Sequence, residues 1–192
     1  MKSESTKKDK YTYKDYLSWT DDGRWQLIEG IAYDMSPSPS VQHQRVLRKL
    51  LVRFDLFLEG KQCEVFSAPF DVRLPEGDEK DEDVKTVVQP DILVVCDESK
   101  LDKRGCKGPP DLIVEIVSSS SASMDYIKKL NLYERHGVKE YWIVNPENKT
   151  AMIYRLNERK EYEAPEIHSD GDVIESKVLE GFFVNLREIF EE

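Results

Sequence analysis

Cysteine and histidine are scarce in this chain, and a long apolar run is missing. Its 192 residues include 3 Cys and 3 His. Cys63, Cys96 and Cys106 are odd in number and lack CxxC spacing, which argues against a structural zinc site and against a secreted disulfide framework. Three reduced thiols are therefore expected. No stretch approaches the roughly 20 apolar residues of a membrane span, and residues 1–10 are too polar for a signal peptide. The expectation is a soluble, cytoplasmic protein with no membrane contact. Basic charge is also in deficit, with 28 Lys and Arg against 38 Asp and Glu and a net charge of −10. A non-specific nucleic-acid coat protein would be basic. A nuclease is not excluded by this, because a metal-binding site is itself acidic and a local basic patch suffices to grip a backbone.

What is present describes one globular domain. Hydrophobic residues make up 39% and aromatics 10% of the chain, and its length suits one domain over residues 11–192 behind a disordered leader at 1–10. Thr12 and Asp15 predict a capped helix start. Residues 25–29 and 31–35 predict two strands about Gly30. After the Ser36-Pro37-Ser38-Pro39-Ser40 break, Val46, Leu47, Leu50, Leu51, Phe54, Phe57 and Leu58 recur at helical spacing, with Ser40 as N-cap. The polar face of that helix carries His43, Arg45, Arg48, Lys49 and Arg53, the most basic surface of the chain. Residues 63–68 and 70–74 are one bent strand or two, and 87–96 and 111–117 are apolar strands. A helix over 124–136 ends at Gly137. The runs 139–144 and 150–156 predict a hairpin across Asn145-Pro146. Short strands near Tyr162 and at 173–176, then a helix near 185–190, complete an α/β chain with a mixed central sheet flanked by helices.

Two acids interrupt the most apolar strands. Asp91 lies in Val87-Val88-Gln89-Pro90-Asp91-Ile92-Leu93-Val94-Val95, and Glu115 in Asp111-Leu112-Ile113-Val114-Glu115-Ile116-Val117. Strands apolar on both faces are buried on both faces, where an isolated carboxylate costs several kcal/mol unless paired, protonated or bound to a cation. Neither run supplies a cation. A divalent ion with oxygen ligands satisfies both acids at once. The plainer alternative puts one acid at a strand end facing water, and Pro90 favours that for Asp91.

These residues belong to an ordered series. Leu27-Ile28-Glu29-Gly30, Met35-Ser36-Pro37 and His43-Gln44 come first, followed by Gln89-Pro90-Asp91 and Pro109-Pro110-Asp111 leading to Glu115. Asp125, Lys129, Tyr133 and Gly137-Val138-Lys139-Glu140-Tyr141-Trp142 close it. Over residues 11–156 the series resembles the Uma-two family of restriction endonucleases, within the PD-(D/E)xK nuclease superfamily. The resemblance implies a restriction-endonuclease-like core with additional antiparallel strands at the C-terminus, a Mg2+ or Mn2+ ion at Asp91 and Glu115, and cleavage of DNA. In one respect the chain departs from the pattern: the superfamily's lysine, two residues after the acid, is here Val117.

Lys129 is the natural substitute, since Asp125, Lys129 and Tyr133 are four apart and share a helix face. Alternatively, Asp125 and Lys129 form an ordinary surface pair, with Lys128 the neighbour most easily confused. His43 reads as a proton shuttle, a phosphate contact or a solvated surface residue, and Glu29 as a further site acid or a turn residue. Asp71 is a weaker candidate. Arg45 and Arg48, with Tyr133 and Asp125, form the expected substrate-binding set. The leading reading is a Mg2+-dependent endonuclease, with a homodimer as its expected assembly. The alternatives are a non-catalytic nucleic-acid- or protein-binding module on the same fold, and a structural protein that self-associates through Tyr141, Trp142 and the tail strands.

Overall fold

A computed structural model describes residues 10–20, 23–35, 39–118 and 123–191. The expected leader, apart from Lys10, and most of the Ser-rich break after Val117 lie outside the described residues. In chain order come helix α1 (Tyr13–Tyr16), strands β1 (Trp25–Ile28) and β2 (Ile31–Asp34), and helix α2 (Val41–Leu58). Strands β3 (Glu64–Ser67), β4 (Val72–Arg73), β5 (Val87–Val88), β6 (Ile92–Val95), β7 (Leu101–Asp102), β8 (Gly105–Lys107) and β9 (Leu112–Ile116) follow. A π-helical segment, Met124–Lys129, runs into α3 (Leu130–His136). Then come β10 (Glu140–Asn145), β11 (Thr150–Arg155), β12 (Glu166–Ser169), β13 (Val173–Glu175), β14 (Phe183–Asn185) and α4 (Leu186–Phe190).

The strands form two mixed sheets and a ribbon. One sheet runs β2-β1-β5-β4-β8-β7, the other β12-β11-β10-β9-β6-β3, and β13 pairs with β14. The predicted run at 87–96 is therefore split. Its first half, β5, belongs to one sheet and its second, β6, to the other, with Gln89-Pro90 as the crossing. Proline has no N–H to give a ladder, so it suits the point where pairing changes hands. The 63–74 region likewise resolves into two strands, β3 and β4, in different sheets. Strands β9 and β10 are parallel neighbours, joined by the π-helical segment and α3 as the sequence predicted.

Helix α2 covers one face of the second sheet. Ser40 caps it, its Oγ accepting from the His43 N–H at 3.1 Å, and Val46, Leu50, Phe54 and Leu58 are buried along one stripe. Phe54 meets Phe182 at 4.5 Å and Trp142 at 5.7 Å between ring centroids; burying each such side chain contributes about 1.5–3 kcal/mol. The opposite face, with Leu93, Ile113, Val117, Tyr141 and Ile143, packs against α3 and against Ile28, Val72 and Val88 of the first sheet. Alternation along β6 and β9 places Asp91 and Glu115 on this second face.

The cysteines depart from expectation. Cys63 and Cys96 form a disulfide, one rung beyond the Glu64–Val95 pair of the β3–β6 ladder, and the free Cys106 is buried. Two cysteines 33 residues apart in sequence give no local motif, so antiparallel pairing alone brings them together. Among the described residues, no helix is long and apolar enough to cross a membrane.

Candidate metal and nuclease site

The β6–β9 register decides whether the two acids meet. Ile92 pairs with Val114, so the next rung sets Asp91 opposite Glu115, where cross-strand Cβ atoms are about 4.5–5.5 Å apart. Asp91 Oδ2 accepts from the Ile116 N–H at 2.8 Å and lies 3.2 Å from His43 Nε2. The Asp91 carbonyl accepts from the Ala68 N–H at 3.2 Å. Its side chain is 20% exposed, against 4% for Glu115, so the pair is buried at one end and reachable from solvent at the other.

Glu115 is held from the helical side. Its Oε1 accepts from Lys129 Nζ and from the Tyr133 hydroxyl, each at 2.8 Å. Lys129 Nζ also lies 3.3 Å from Asp125 Oδ1, and the Tyr141 hydroxyl donates to the Asp125 carbonyl at 3.1 Å. Lys129 closes the π-helical segment, a rare geometry that recurs at functional positions. Gly137, at φ 84°, ends α3, and the N–H groups of Gly137 and Val138 both donate to the Tyr133 carbonyl. That cap anchors the backbone from which Tyr133 reaches Glu115.

Burial pushes the Glu115 carboxyl above its ordinary value, and the Asp125 and Asp91 charges add to this while the Lys129 ammonium opposes it. For Lys129, burial disfavours the ammonium, but Glu115 and Asp125 outweigh it and hold the group above the usual lysine range. Lysine thus stays charged. Three buried or half-buried acids, Asp91, Glu115 and Asp125, face one ammonium.

The structure brings together Asp91, Glu115, Lys129 and His43. Lys128 turns outward to the Tyr33 hydroxyl at 2.7 Å. His43, with relative exposure of 7%, is not a solvated surface residue. A carboxylate only accepts, so Nε2 carries the proton toward Asp91. Nδ1 is buried and, among the described residues, has no partner. A ring so enclosed suits positioning Asp91 better than shuttling protons to solvent.

Several expected site residues lie elsewhere or do other work. Glu29 and Gly30, at φ 54° and 82°, form the tight β1–β2 turn, and Glu29 Oε1 pairs with Arg135 Nη1 at 2.8 Å; it ties that turn to the far end of α3. Arg45 and Arg48 are exposed but lie about 200° and 140° round α2 from His43, so they do not flank the acids. Tyr133 and Asp125 are buried, and this revises them from substrate contacts to supports of Glu115 and Lys129. Asp71 does not simply face water: it accepts from the Tyr16 hydroxyl at 3.1 Å and Gln89 Nε2 at 2.9 Å. Sequence reasoning missed Tyr141 as a support of Asp125, since nothing in its strand pattern distinguishes it from a core aromatic.

Among the described residues, no three His, Cys, Asp or Glu side chains converge as a ready-made metal cage. Mg2+ does not need one, because it usually keeps several waters and takes one or two carboxylates. The donor set and its excess of negative charge fit such an ion.

Residues 13–187 match the model of the Uma2 family, described as "Putative restriction endonuclease". The chain belongs to that family. Its fold is similar to the crystal structure of "a putative nuclease belonging to DUF820" from Anabaena variabilis ATCC 29413. The TM-score is 0.73 at 16% identity, covering 93% of this chain and 97% of that one. No curated protein matches the chain. For this Uma2-family member the likeness concerns architecture: a mixed α/β nuclease-like fold with extra antiparallel strands toward the C-terminus.

Proposed function

We propose that the chain is a metal-dependent endonuclease that hydrolyses DNA phosphodiester bonds. The observation that carries this reading is the Asp91–Glu115 rung, with Lys129 Nζ 2.8 Å from Glu115 Oε1. Asp91 and Glu115 would hold the Mg2+ or Mn2+ ion, which when bound supplies Lewis-acid charge and a more acidic water. Tyr133 and Lys129 both bond Glu115 Oε1, which fixes the rotamer of that carboxylate. His43 and the Ile116 N–H do the same for Asp91 through Oδ2. An ammonium has three donors; with two directed at Glu115 and Asp125, Lys129 has a third for a water or a phosphate oxygen. Water attacks phosphorus and gives its proton to bulk solvent, and the bond to the leaving oxygen breaks as that oxygen takes a proton from solvent. Positive charge at Lys129 offsets the negative charge that grows on the phosphoryl oxygens.

The Lys129 ammonium beside Glu115 and Asp125 favours catalysis over a purely binding role, because the chain has Val117 two residues after the acid and no cation there. The test is cleavage of plasmid and single-stranded DNA with Mg2+ or Mn2+, wild type against Asp91→Ala. Metal-dependent cutting by the wild type alone is expected; equal cutting by both proteins, or none by either, overturns the assignment.

A further inference from the structure

Two residues before Asp91, the chain borders a second feature that the metal site does not use. Tyr16, Trp19, Arg24, Trp25, Pro69 and Gln89 line a cavity of about 300 Å³, within the range of small-molecule pockets. Trp19 packs against Trp25 at 5.8 Å, edge to face, and against Tyr16 at 5.4 Å; both tryptophans are half-buried. The lining is therefore largely aromatic. One polar group is fixed among them. Gln89 Nε2 donates to the Tyr16 hydroxyl at 3.1 Å and to Asp71 at 2.9 Å, so its amide cannot flip without losing both bonds. Its Oε1 then lies 3.4 Å from Arg24 Nη2. Arg24 donates to that oxygen in a long, exposed bond, so an acceptor and a guanidinium donor stand side by side among the aromatic side chains, while the Asp71 carboxylate is not part of the lining.

An aromatic lining with a donor–acceptor pair matches a heteroaromatic ring that carries its own donors and acceptors. Position narrows the choice. Gln89 and Asp91 are at most about 7 Å apart along the chain, about two base rises along one strand. Pro69, also in the lining, follows Ala68, whose N–H bonds the Asp91 carbonyl. Cavity and acids thus share one backbone frame.

We propose that this pocket takes an unpaired nucleobase of the substrate strand, one or two nucleotides from the phosphate held at Asp91 and Glu115. The proposal rests on the nuclease reading and sharpens it: the substrate presents a base that is single-stranded or unstacked near the cut. Stacking selects for any π-face, with Gln89 and Arg24 reading the edge of the ring.

Binding is measured in chelator, where no cleavage intervenes, by quenching of tryptophan emission and by anisotropy of labelled oligonucleotides. The probes are a short single-stranded oligodeoxynucleotide, its abasic counterpart with the same phosphates, and its duplex. The base-bearing single strand is expected to bind about 5- to 150-fold tighter than the abasic strand, the span given by one stacked base, and tighter than the duplex. Trp19→Leu should remove that preference, as should the exposed Arg24→Ala in part. Equal affinity for base-bearing and abasic strands overturns the proposal, and so does a duplex bound as tightly as the single strand. The comparison of strands needs no variant, so it stands even if Trp19→Leu does not fold. Cleavage with Mn2+ is run in parallel: base-selective binding without cleavage sinks the catalytic reading and leaves the pocket, whereas cleavage that ignores abasic substitution sinks the pocket and leaves the nuclease.

Discussion

Replacing Lys129 by Met removes the one ammonium among three acids while keeping most of the side-chain volume. In the wild type Lys129 bonds Glu115 at 2.8 Å and Asp125 at 3.3 Å, and both partners are nearly sealed from water. Breaking a buried ion pair on one side costs about 3–5 kcal/mol, but Glu115 has an escape. Its folded pKa is already raised by burial, and loss of the opposing lysine charge raises it further. A raised carboxyl contributes stability that is complete below the unfolded value and is lost as pH rises through the folded one, at about 1.4 kcal/mol per unit. Near pH 5 a protonated Glu115 limits the cost of Lys129→Met to about 1.5–3 kcal/mol, the worth of hydrogen bonds to a charged group. Near pH 9 the full about 3–5 kcal/mol is expected. Urea unfolding of both proteins at the two pH values, in chelator, measures the difference. Adding Glu115→Gln should recover about 1–3 kcal/mol in a double-mutant cycle. A cost that is flat with pH, or larger in acid, refutes the argument that Lys129 compensates a buried carboxylate.

Three smaller perturbations probe the frame. Ser40→Ala removes the bond to the His43 N–H and should cost about 1 kcal/mol, with a fall in cleavage because His43 loses its anchor; unchanged activity with that loss of stability separates His43 from the site. Cys63→Ser opens a loop of 33 residues and should lower stability by about 3–4 kcal/mol, read as a fall in Tm that the reductant-treated wild type reproduces. Burial pushes the Cys106 thiol up to about 11, so the native protein should resist a thiol reagent near neutral pH and react once in urea; a fast native thiol contradicts the placement of β8.

The long elements were legible because their periodicity is unambiguous. Helix α2 carries an N-cap, a continuous apolar stripe and no internal Gly or Pro, and β9 and β10 are apolar runs around a helix. The crossing at Gln89-Pro90 was not legible, because an apolar run reads the same whether its rungs belong to one sheet or two. Strands β7 and β8 have 2 and 3 residues, too few for alternation to register against the glycines and prolines around them. At the site, burial of a charge pointed to Asp91 and Glu115, and i,i+4 spacing pointed to Lys129. Glu29 misled for a conformational reason: a turn fixes where a side chain points, and its sequence does not say toward what. For Arg45 and Arg48, charge on a helix locates a face, while only tertiary packing says which face meets the candidate site.

Asp91 has two roles that an alanine substitution would confuse. Its Oδ2 takes the Ile116 N–H, a backbone donor at the end of the β9 ladder, and its charge belongs to the candidate metal site. Asp91→Ala strands that N–H and the His43 ring at once, at about 1–3 kcal/mol for an unsatisfied buried donor. Lost cleavage could then report lost structure. Asp91→Asn separates the roles, because an amide oxygen still accepts from Ile116 while the charge is gone. The expected result is stability within about 1 kcal/mol of wild type by urea unfolding, no Mn2+-dependent cleavage, and loss of calorimetric Mn2+ binding. An Asn variant that still cuts DNA at the wild-type rate would leave Asp91 as a ladder cap alone and remove the carboxylate pair from the chemistry.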